Sequence, residues 1–377
     1  MKPSEYLRAE LRKIPNAMWE ESGDPFERPR YPLDRIETLA IEDGERIFAE
    51  GPQSAAYPAF LDQEFLAAKD REIGIDSQQG RGIDALAWYV SFHVSRGTWG
   101  IFIPTSSLVY LELRHLNSLR LEQAAKRQVA LEMLLEHEML HFAVDYACAQ
   151  WEVLLHAPCW RSLMQRRREK GLPYIKLEES LANAYMLRRL SVRWNIPVLK
   201  EVERFTCRQP SGYNNAGEYV EKGKFDTGLA ELAKTYVAIH ASERGLNVFS
   251  PCFDYASIFP VYPSVPGARC PIQIVKDLAR FGIPEISVRF LKCIPEIVET
   301  ELFQKLFSQM PHDIQKRWNR KKEQLKLMLP RHPEFENFRD HFSLRLGHNF
   351  RAHLRPVAGQ THWEAFEIGP HTKMGHG

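Results

Sequence analysis

The most regular pattern of apolar and polar positions lies in the middle of the chain and predicts a long helix. Between about residues 121 and 155, apolar side chains such as Val129 and Leu140 recur at steps that place them on one buried face. Two further helical patterns follow, over about 177–194 and 227–240. The central part of the chain is therefore predicted to be mainly helical.

Two β-rich runs precede the long helix. Residues 85–94 and 98–103 are rich in aromatic and β-branched side chains, and the Ser-Arg-Gly sequence at 95–97 is typical of a turn. Pro104 ends the second run. The pattern predicts a β-hairpin directly before the helical region.

A second alternating pattern fills the last 80 residues. Residues 297–303 indicate a strand that leads into a helix, and a basic helix follows to about Met328. Three short strands are then predicted over 342–346, 350–355 and 361–369, with Gly, Asn and Pro between them. This order predicts a small unit in which two helices pack on an antiparallel meander.

Together these patterns predict an α+β fold in four segments. Residues 1–84 mix charge with Pro and Gly and are predicted to be an N-terminal helix and loop extension. Residues 85–250 join the hairpin to the helices in one domain. Six prolines between 251 and 284 indicate a connector over 251–294, and 295–377 form the smaller C-terminal domain.

Composition narrows the class of protein. A hydrophobic fraction of 44% and a charged fraction of 26% are typical of globular domains and exclude a disordered or collagen-like chain. No run of eighteen apolar residues and no signal-like N-terminus is present. Six cysteines without a Cys-x-x-Cys pair indicate reduced thiols. We therefore expect a soluble, cytoplasmic protein without a membrane partner.

Charge is unevenly distributed although the net value is only +2. From residue 301 onwards there are 13 Lys or Arg against 8 Asp or Glu, and eight of the fourteen histidines. The C-terminal domain is therefore basic, as a nucleic-acid contact would require.

The strongest chemical motif is His137-Glu138-Met139-Leu140-His141 inside the long helix. Histidines four residues apart lie on adjacent turns of one face, so both rings can reach one ion. Glu138 is rotated by one residue and can approach a water molecule without binding the metal. The alternative is that both histidines simply pair with carboxylates such as Glu136 or Asp145.

A third ligand is expected from another segment, because a catalytic zinc site has three protein ligands and an open fourth position. Glu178 and Glu179 begin the next predicted helix, and either carboxylate could complete the site. Asp145 follows His141 by four residues and is a further candidate, either as ligand or as the acceptor of a ring N–H. Asn183 could orient a ligand in the same way.

The HExxH motif and the Glu-x-x-Ala-Asn sequence of residues 179–183 resemble those of the ImmA/IrrE-like metallopeptidases, members of the zincin-like class. The resemblance covers about residues 85–195 and implies a Zn²⁺ site made by His137, His141 and Glu179. It also implies that Glu138 is the catalytic base for cleavage of a peptide or protein substrate. In such folds an edge strand, here 99–103, aligns the substrate.

The order of elements after residue 295 resembles the RelE/ParE toxin-like superfamily, as do Met310-Pro311 and the terminal Ile-Gly-Pro-His sequence at 368–371. The resemblance implies contact with RNA or the ribosome and an antitoxin partner. It implies RNA-binding or catalytic roles for five residues. These are Arg345, Arg351, His353, Arg355 and His371. No tyrosine follows His371, in contrast to many RelE-like nucleases.

The sequence thus predicts a zinc-dependent hydrolase, in particular a protease in bacterial stress, toxin–antitoxin or phage-defence biology. The alternative is a RelE-like RNA endonuclease or nucleic-acid-binding protein whose metal site is structural or vestigial. A non-catalytic scaffold is a third possibility.

Overall fold

Nine helices and eleven strands occur in the residues that the computed structural model describes. The described residues are 3–14, 36–40, 46–50, 59–93, 99–160, 173–244, 270–291, 293–294, 296–327, 334–338, 341–357 and 362–374. The helices are α1 (Pro3–Leu11), α2 (Ala59–Ile73), α3 (Thr105–Arg114), α4 (Gln123–Leu155), α5 (Pro173–Ser191), α6 (Ile196–Cys207), α7 (Lys222–Arg244), α8 (Glu301–Ser308) and α9 (His312–Leu327). The strands are β1 (Ile36–Ala40), β2 (Arg46–Glu50), β3 (Trp88–Val90), β4 (Gly100–Pro104), β5 (Pro271–Val275), β6 (Ser287–Leu291), β7 (Ile297–Glu299), β8 (Phe335–Phe338), β9 (His341–Arg345), β10 (Phe350–Pro356) and β11 (Trp363–Pro370). The α+β class predicted from the sequence is confirmed.

Helix α4 is the central element, and its predicted span is confirmed. It runs for 33 residues to Leu155, and the next residue, His156, closes the helix in the left-handed conformation with a positive φ of 48°. Its apolar residues, among them Val129 and Met133, are fully buried. Because α4 packs against α3, α5 and β4, it is held on several sides, which fixes the direction of its side chains.

The first sheet has the strand order β1-β5-β4-β3. β4 runs parallel to β5 and antiparallel to β3, so the predicted hairpin is confirmed. The prediction that residues 99–103 form an edge strand is wrong, because β4 is paired on both sides. β3 lies at that edge of the sheet instead.

The first sheet and its core draw on three of the four predicted segments. β1 comes from the predicted extension and β5 from the predicted connector, and the two strands pair antiparallel. Leu7 and Leu11 of α1 are buried in the same core as α4. Residues 1–84 and 251–294 therefore supply parts of the domain that carries the HExxH helix.

The second sheet has the order β7-β11-β10-β9-β8. It contains the three predicted C-terminal strands, a parallel pairing of β7 with β11, and an additional strand, β8. Phe303 of α8, Trp318 of α9 and Phe335 of β8 are fully buried in one cluster. The two helices therefore pack on this sheet in the order that the sequence predicts.

A two-stranded sheet of β2 and β6 lies between the two cores. Along β2, Ile47 and Ala49 belong to the first core, whereas Phe48 belongs to the second. Gln128 of α4 donates to the carbonyl of Ile47 and accepts from the amide of Ala49. Because successive side chains of a strand point to opposite faces, this one short segment packs into both cores.

Some sequence predictions lie outside the described residues, namely the turn at 95–97 and the part of the connector over 251–269. Within the described part of the chain, no helix is both long and apolar enough to cross a lipid bilayer.

Candidate metal centre

The side chains of His137 and His141 converge from adjacent turns of α4, as their spacing predicts. Their Nε2 atoms lie 3.3 Å apart, and both rings are buried. Helix α5 crosses α4 and places Glu179 Oε2 3.5 Å from His137 Nε2 and 3.4 Å from His141 Nε2. Three of the predicted site residues therefore form a nearly equilateral triangle of donor atoms.

A fourth donor, Asp84, joins the triangle from a one-turn 3₁₀ helix, Gly82–Ala85. Its Oδ1 lies 3.3 Å from His137 Nε2. One ligand atom from each of Asp84, His137, His141 and Glu179 lies within 4.8 Å of the other three, so the group could hold a metal ion. Sequence reasoning missed Asp84, which is 53 residues from His137.

Both histidines are fixed in the tautomer that metal binding needs. His137 Nδ1–H donates to Asn183 Oδ1 at 2.9 Å, and His141 Nδ1–H donates to Glu178 Oε1 at 2.7 Å. Tyr236 in turn donates its hydroxyl proton to Glu178. Because each Nδ1 is used in this way, each Nε2 faces the centre of the cluster, where it can hold either a proton or a metal ion.

The three separations within the triangle match one face of a tetrahedron of ligands around a metal ion. For metal–ligand bonds of about 2.0–2.2 Å, the edges of a tetrahedron are about 3.3–3.6 Å long. The measured separations are 3.3, 3.4 and 3.5 Å within the triangle and 3.3 Å from His137 to Asp84. Neighbouring ligands in an octahedron of similar bond length would lie about 3.0 Å apart, so the octahedral geometry fits less well.

Electrostatics in the cluster also favour a cation. Burial alone lowers the pKa of His137, but the hydrogen bonds that its ring donates to Asp84 and Glu179 outweigh this effect and raise the pKa to about 9. Burial alone raises the pKa of Glu179, yet the charge of His141 and hydrogen bonds from both histidines bring it below its usual range. The carboxylates therefore attract positive charge, which protons or a metal ion can supply.

Glu138 lies beside the cluster without belonging to it. It is 1% exposed, and its Oε1 has no hydrogen-bond partner in the described residues. Burial raises the pKa of Glu138 to about 7, with smaller effects from the charges of all four cluster residues. A carboxyl group with a pKa near neutrality can both take and return a proton.

Tyr213 covers the Asp84 side of the cluster. Its hydroxyl donates to Asp84 Oδ2 at 3.0 Å, and its ring stacks on that of His137 with 24° between the planes. Its carbonyl accepts from Asn183 Nδ2. The ring also fills the space beside Gly82, where an added Cβ would lie 2.6 Å from it. Tyr213 therefore contacts the surroundings of both His137 and Asp84.

Asp145, predicted as an alternative ligand or acceptor, is used elsewhere. Its carboxylate accepts from Tyr89, Ser91 and His93 Nδ1, the last at 2.6 Å. The other ring nitrogen of His93 lies 3.0 Å from Glu152. Burial lowers the pKa of His93, but Asp145 and Glu152 outweigh this and raise it to about 10. The role expected for Asp145 beside His141 is filled by Glu178.

The predicted RNA-binding residues of the C-terminal domain lie on β9, β10 and the turn after β11. Arg351 is buried and donates to the carbonyls of Gly347 and Phe350. His353 Nδ1 lies 3.0 Å from Glu367, and Arg355 donates to Glu364. Arg345 pairs with Arg351 in the β9–β10 register, and His371 begins the final 3₁₀ turn. Much of the predicted cationic row is therefore used in contacts within the domain.

Comparisons of the chain with family models, with curated proteins and with solved structures found no match. The zincin-like and RelE/ParE-like resemblances therefore stay predictions based on the motifs. The geometry of the cluster is the independent observation on which a functional proposal can be based.

Proposed function

We propose that the protein is a zinc-dependent hydrolase that cleaves peptide bonds. His137, His141 and Glu179 would hold the ion, and Asn183 and Glu178 would keep the histidine rings in place. When bound, the metal would polarise a scissile carbonyl and make a water molecule more acidic. Two imidazoles with carboxylates are a donor set that zinc accepts in catalytic sites.

The observation that carries the proposal is the state of Glu138. A buried carboxylate oxygen without a partner costs free energy, so a purely structural metal site would gain nothing from it. In a hydrolase the same group has a task, because it can accept a proton from a water molecule and pass it to the leaving amine. Its position next to His137 on α4 keeps it close to the cluster without making it a ligand.

The substrate class and the biological setting in this proposal come from the motif resemblances. A bacterial stress, toxin–antitoxin or phage-defence role would be consistent with both halves of the chain. The RNA-cleaving alternative has less support, because Arg351 and His353 are buried and bonded within their own domain.

The test compares wild type with Glu138→Gln on a mixture of fluorescence-quenched peptides of randomised sequence. We expect the variant to retain its metal and to lose hydrolysis by about 10²-fold or more, the usual contribution of a general base. Glu221→Gln, a change at an exposed glutamate on the same domain, is the matched control and should cleave at the wild-type rate. Undiminished cleavage by Glu138→Gln would refute the role of Glu138.

A further inference from the structure

The four donors of the cluster differ in their access to solvent. The side chains of His137, His141 and Glu179 are 0%, 9% and 6% exposed, whereas that of Asp84 is 31% exposed. The three buried donors lie on the long helices α4 and α5, and Asp84 lies on a four-residue 3₁₀ turn. Asp84 is thus the outer donor, on the side from which a substrate would arrive.

Asp84 also differs in how closely it joins the other donors. The buried three are mutually 3.3–3.5 Å apart, as the corners of one tetrahedral face should be. Asp84 Oδ1 is 3.3 Å from His137 Nε2, and its separation from the other two donors is limited only to 4.8 Å. The carboxylate is therefore within reach of the fourth corner, the one that a catalytic zinc site leaves for water.

We propose that Asp84 is a displaceable fourth ligand that closes the site in this conformation. The inference depends on the proposed function and deepens it, because it assigns a regulatory role to the same centre. With Asp84 in place, four protein donors leave no corner for water, as in structural zinc sites. Asp84 must therefore turn away before Glu138 has a water molecule to act on.

Two contacts hold Asp84, one at its carboxylate and one at its backbone carbonyl. The hydroxyl of Tyr213 donates to Asp84 Oδ2, which leaves Oδ1 turned towards His137. The side chain of Arg81 donates to the carbonyl of Asp84 at 3.2 Å and steadies the turn. Rotation of one half-buried side chain and loss of the Tyr213 hydrogen bond would suffice to open the site. No movement of α4 or α5 is needed.

A permanently closed structural site explains the cluster less well. Such a site has no need of a buried, unpartnered carboxylate oxygen on Glu138 beside it. A permanently open site, in turn, does not explain why a fourth carboxylate reaches the donors and is itself anchored by Tyr213. A closed site that can open accounts for both residues.

The experiment uses the full chain loaded with Co²⁺, whose visible absorption reports the number and kind of ligands, and titrates it with acetohydroxamate. Wild type is compared with Asp84→Ala, Tyr213→Phe and the control Asp313→Ala, which alters an exposed aspartate in the other domain. We expect Asp84→Ala to keep one Co²⁺ and to bind acetohydroxamate at least tenfold more tightly than wild type. The affinity of Tyr213→Phe for acetohydroxamate should lie between those of wild type and Asp84→Ala. The control should bind acetohydroxamate as tightly as wild type.

Each failure has its own signature. If wild type shows no Co²⁺ absorption, the metal site itself is absent and the proposed function fails with this inference. If wild type and Asp84→Ala both hold Co²⁺ but bind acetohydroxamate equally, Asp84 does not close the fourth corner and only the inference fails. Complete loss of Co²⁺ from Asp84→Ala also overturns it, since Asp84 would then be an essential structural ligand.

Discussion

At the residue scale, the candidate site depends on how each imidazole is oriented. His137 and His141 would repel each other through two Nε2 lone pairs 3.3 Å apart unless a cation or proton lay between them. Asn183 and Glu178 on α5 fix the rings in this arrangement. Helix α5 therefore supplies both a candidate ligand, Glu179, and the groups that orient the two histidines.

Removing either orienting group should weaken metal binding without removing a ligand. We expect Asn183→Ala and Glu178→Ala to lower zinc affinity by about 10- to 100-fold, the usual effect of losing such a partner. Competition with a chelator of known affinity measures this. Asn319→Ala, at an exposed site on α9, is the matched control. Wild-type affinity in both cluster variants would show that the rings need no such support.

The sequence predicts part of this site for a clear physical reason. Helix periodicity places His137 and His141 on one face, and only this local relation was needed to pair them. Asp84 comes from a distant turn with no spacing rule to connect it to α4. One signal was present, since Asp84 is the single charged residue in the apolar run Ile83–Ala87. A lone carboxylate in such a run is worth considering as a ligand.

At the scale of elements, a buried charged group ties β3 to the second half of α4. His93, just after β3, lies between Asp145 and Glu152 of α4, and Glu152 also accepts from the amide of Trp160. The Trp160 ring stacks on His93 with 8° between the planes. The hairpin, the long helix and the turn that follows it therefore meet at one imidazole.

This contact should make stability depend on pH in a specific direction. Because the folded-state pKa of His93 is raised from 6.5 to about 10, its contribution is complete below pH 6.5 and is lost as pH rises towards 10. His93→Gln should destabilise the chain by roughly 3 kcal/mol or more at pH 6, as expected for a broken buried pair. The difference in free energy of unfolding between wild type and His93→Gln should become smaller as the pH approaches 10.

Urea unfolding of the metal-free chain at pH 6, 8 and 9.5 measures this deficit, the free energy of unfolding that the variant lacks relative to wild type. His348→Gln, at an exposed histidine, should show none at any of the three values. A deficit for His93→Gln that stays constant across the range would mean that His93 is neutral in the folded protein.

The elements themselves were predictable where local pattern decides them. The span of α4 and the C-terminal strands follow from side-chain periodicity, which a single segment carries. The central position of β4 was not predictable, because it depends on pairing with β5, about 170 residues away. Edge or interior status is a property of the assembled sheet.

At the scale of the whole molecule, β2 links two cores that the sequence assigns to separate domains. The Phe48 ring contacts those of Phe342 and Trp363 at centroid distances of 5.4 and 6.3 Å. Its neighbours on β2 are buried in the first core. A segment near the N-terminus thus completes the C-terminal domain, which no local pattern in residues 46–50 could indicate.

Shortening the side chain of Phe48 should therefore destabilise the second core and leave the metal centre unchanged. We expect Phe48→Ala to cost about 3 kcal/mol, as for other buried phenylalanines, with zinc content unchanged. Calorimetric unfolding together with metal analysis tests both parts. Leu302→Ala, at an exposed position on α8, should have little effect on either. A loss below about 1 kcal/mol for Phe48→Ala would mean that β2 does not support the second core.

Elemental analysis of the purified full chain most directly tests the proposed zinc site of His137, His141 and Glu179, with Asp84 as a displaceable fourth ligand. We predict about one zinc per chain in wild type after dialysis against a mild chelator, and binding too weak to survive that dialysis in a variant that lacks either histidine. His137→Ala and His141→Ala should then contain almost none, and Glu221→Gln should match wild type. Wild-type chain without zinc, or zinc retained in full by both histidine variants, would contradict the account.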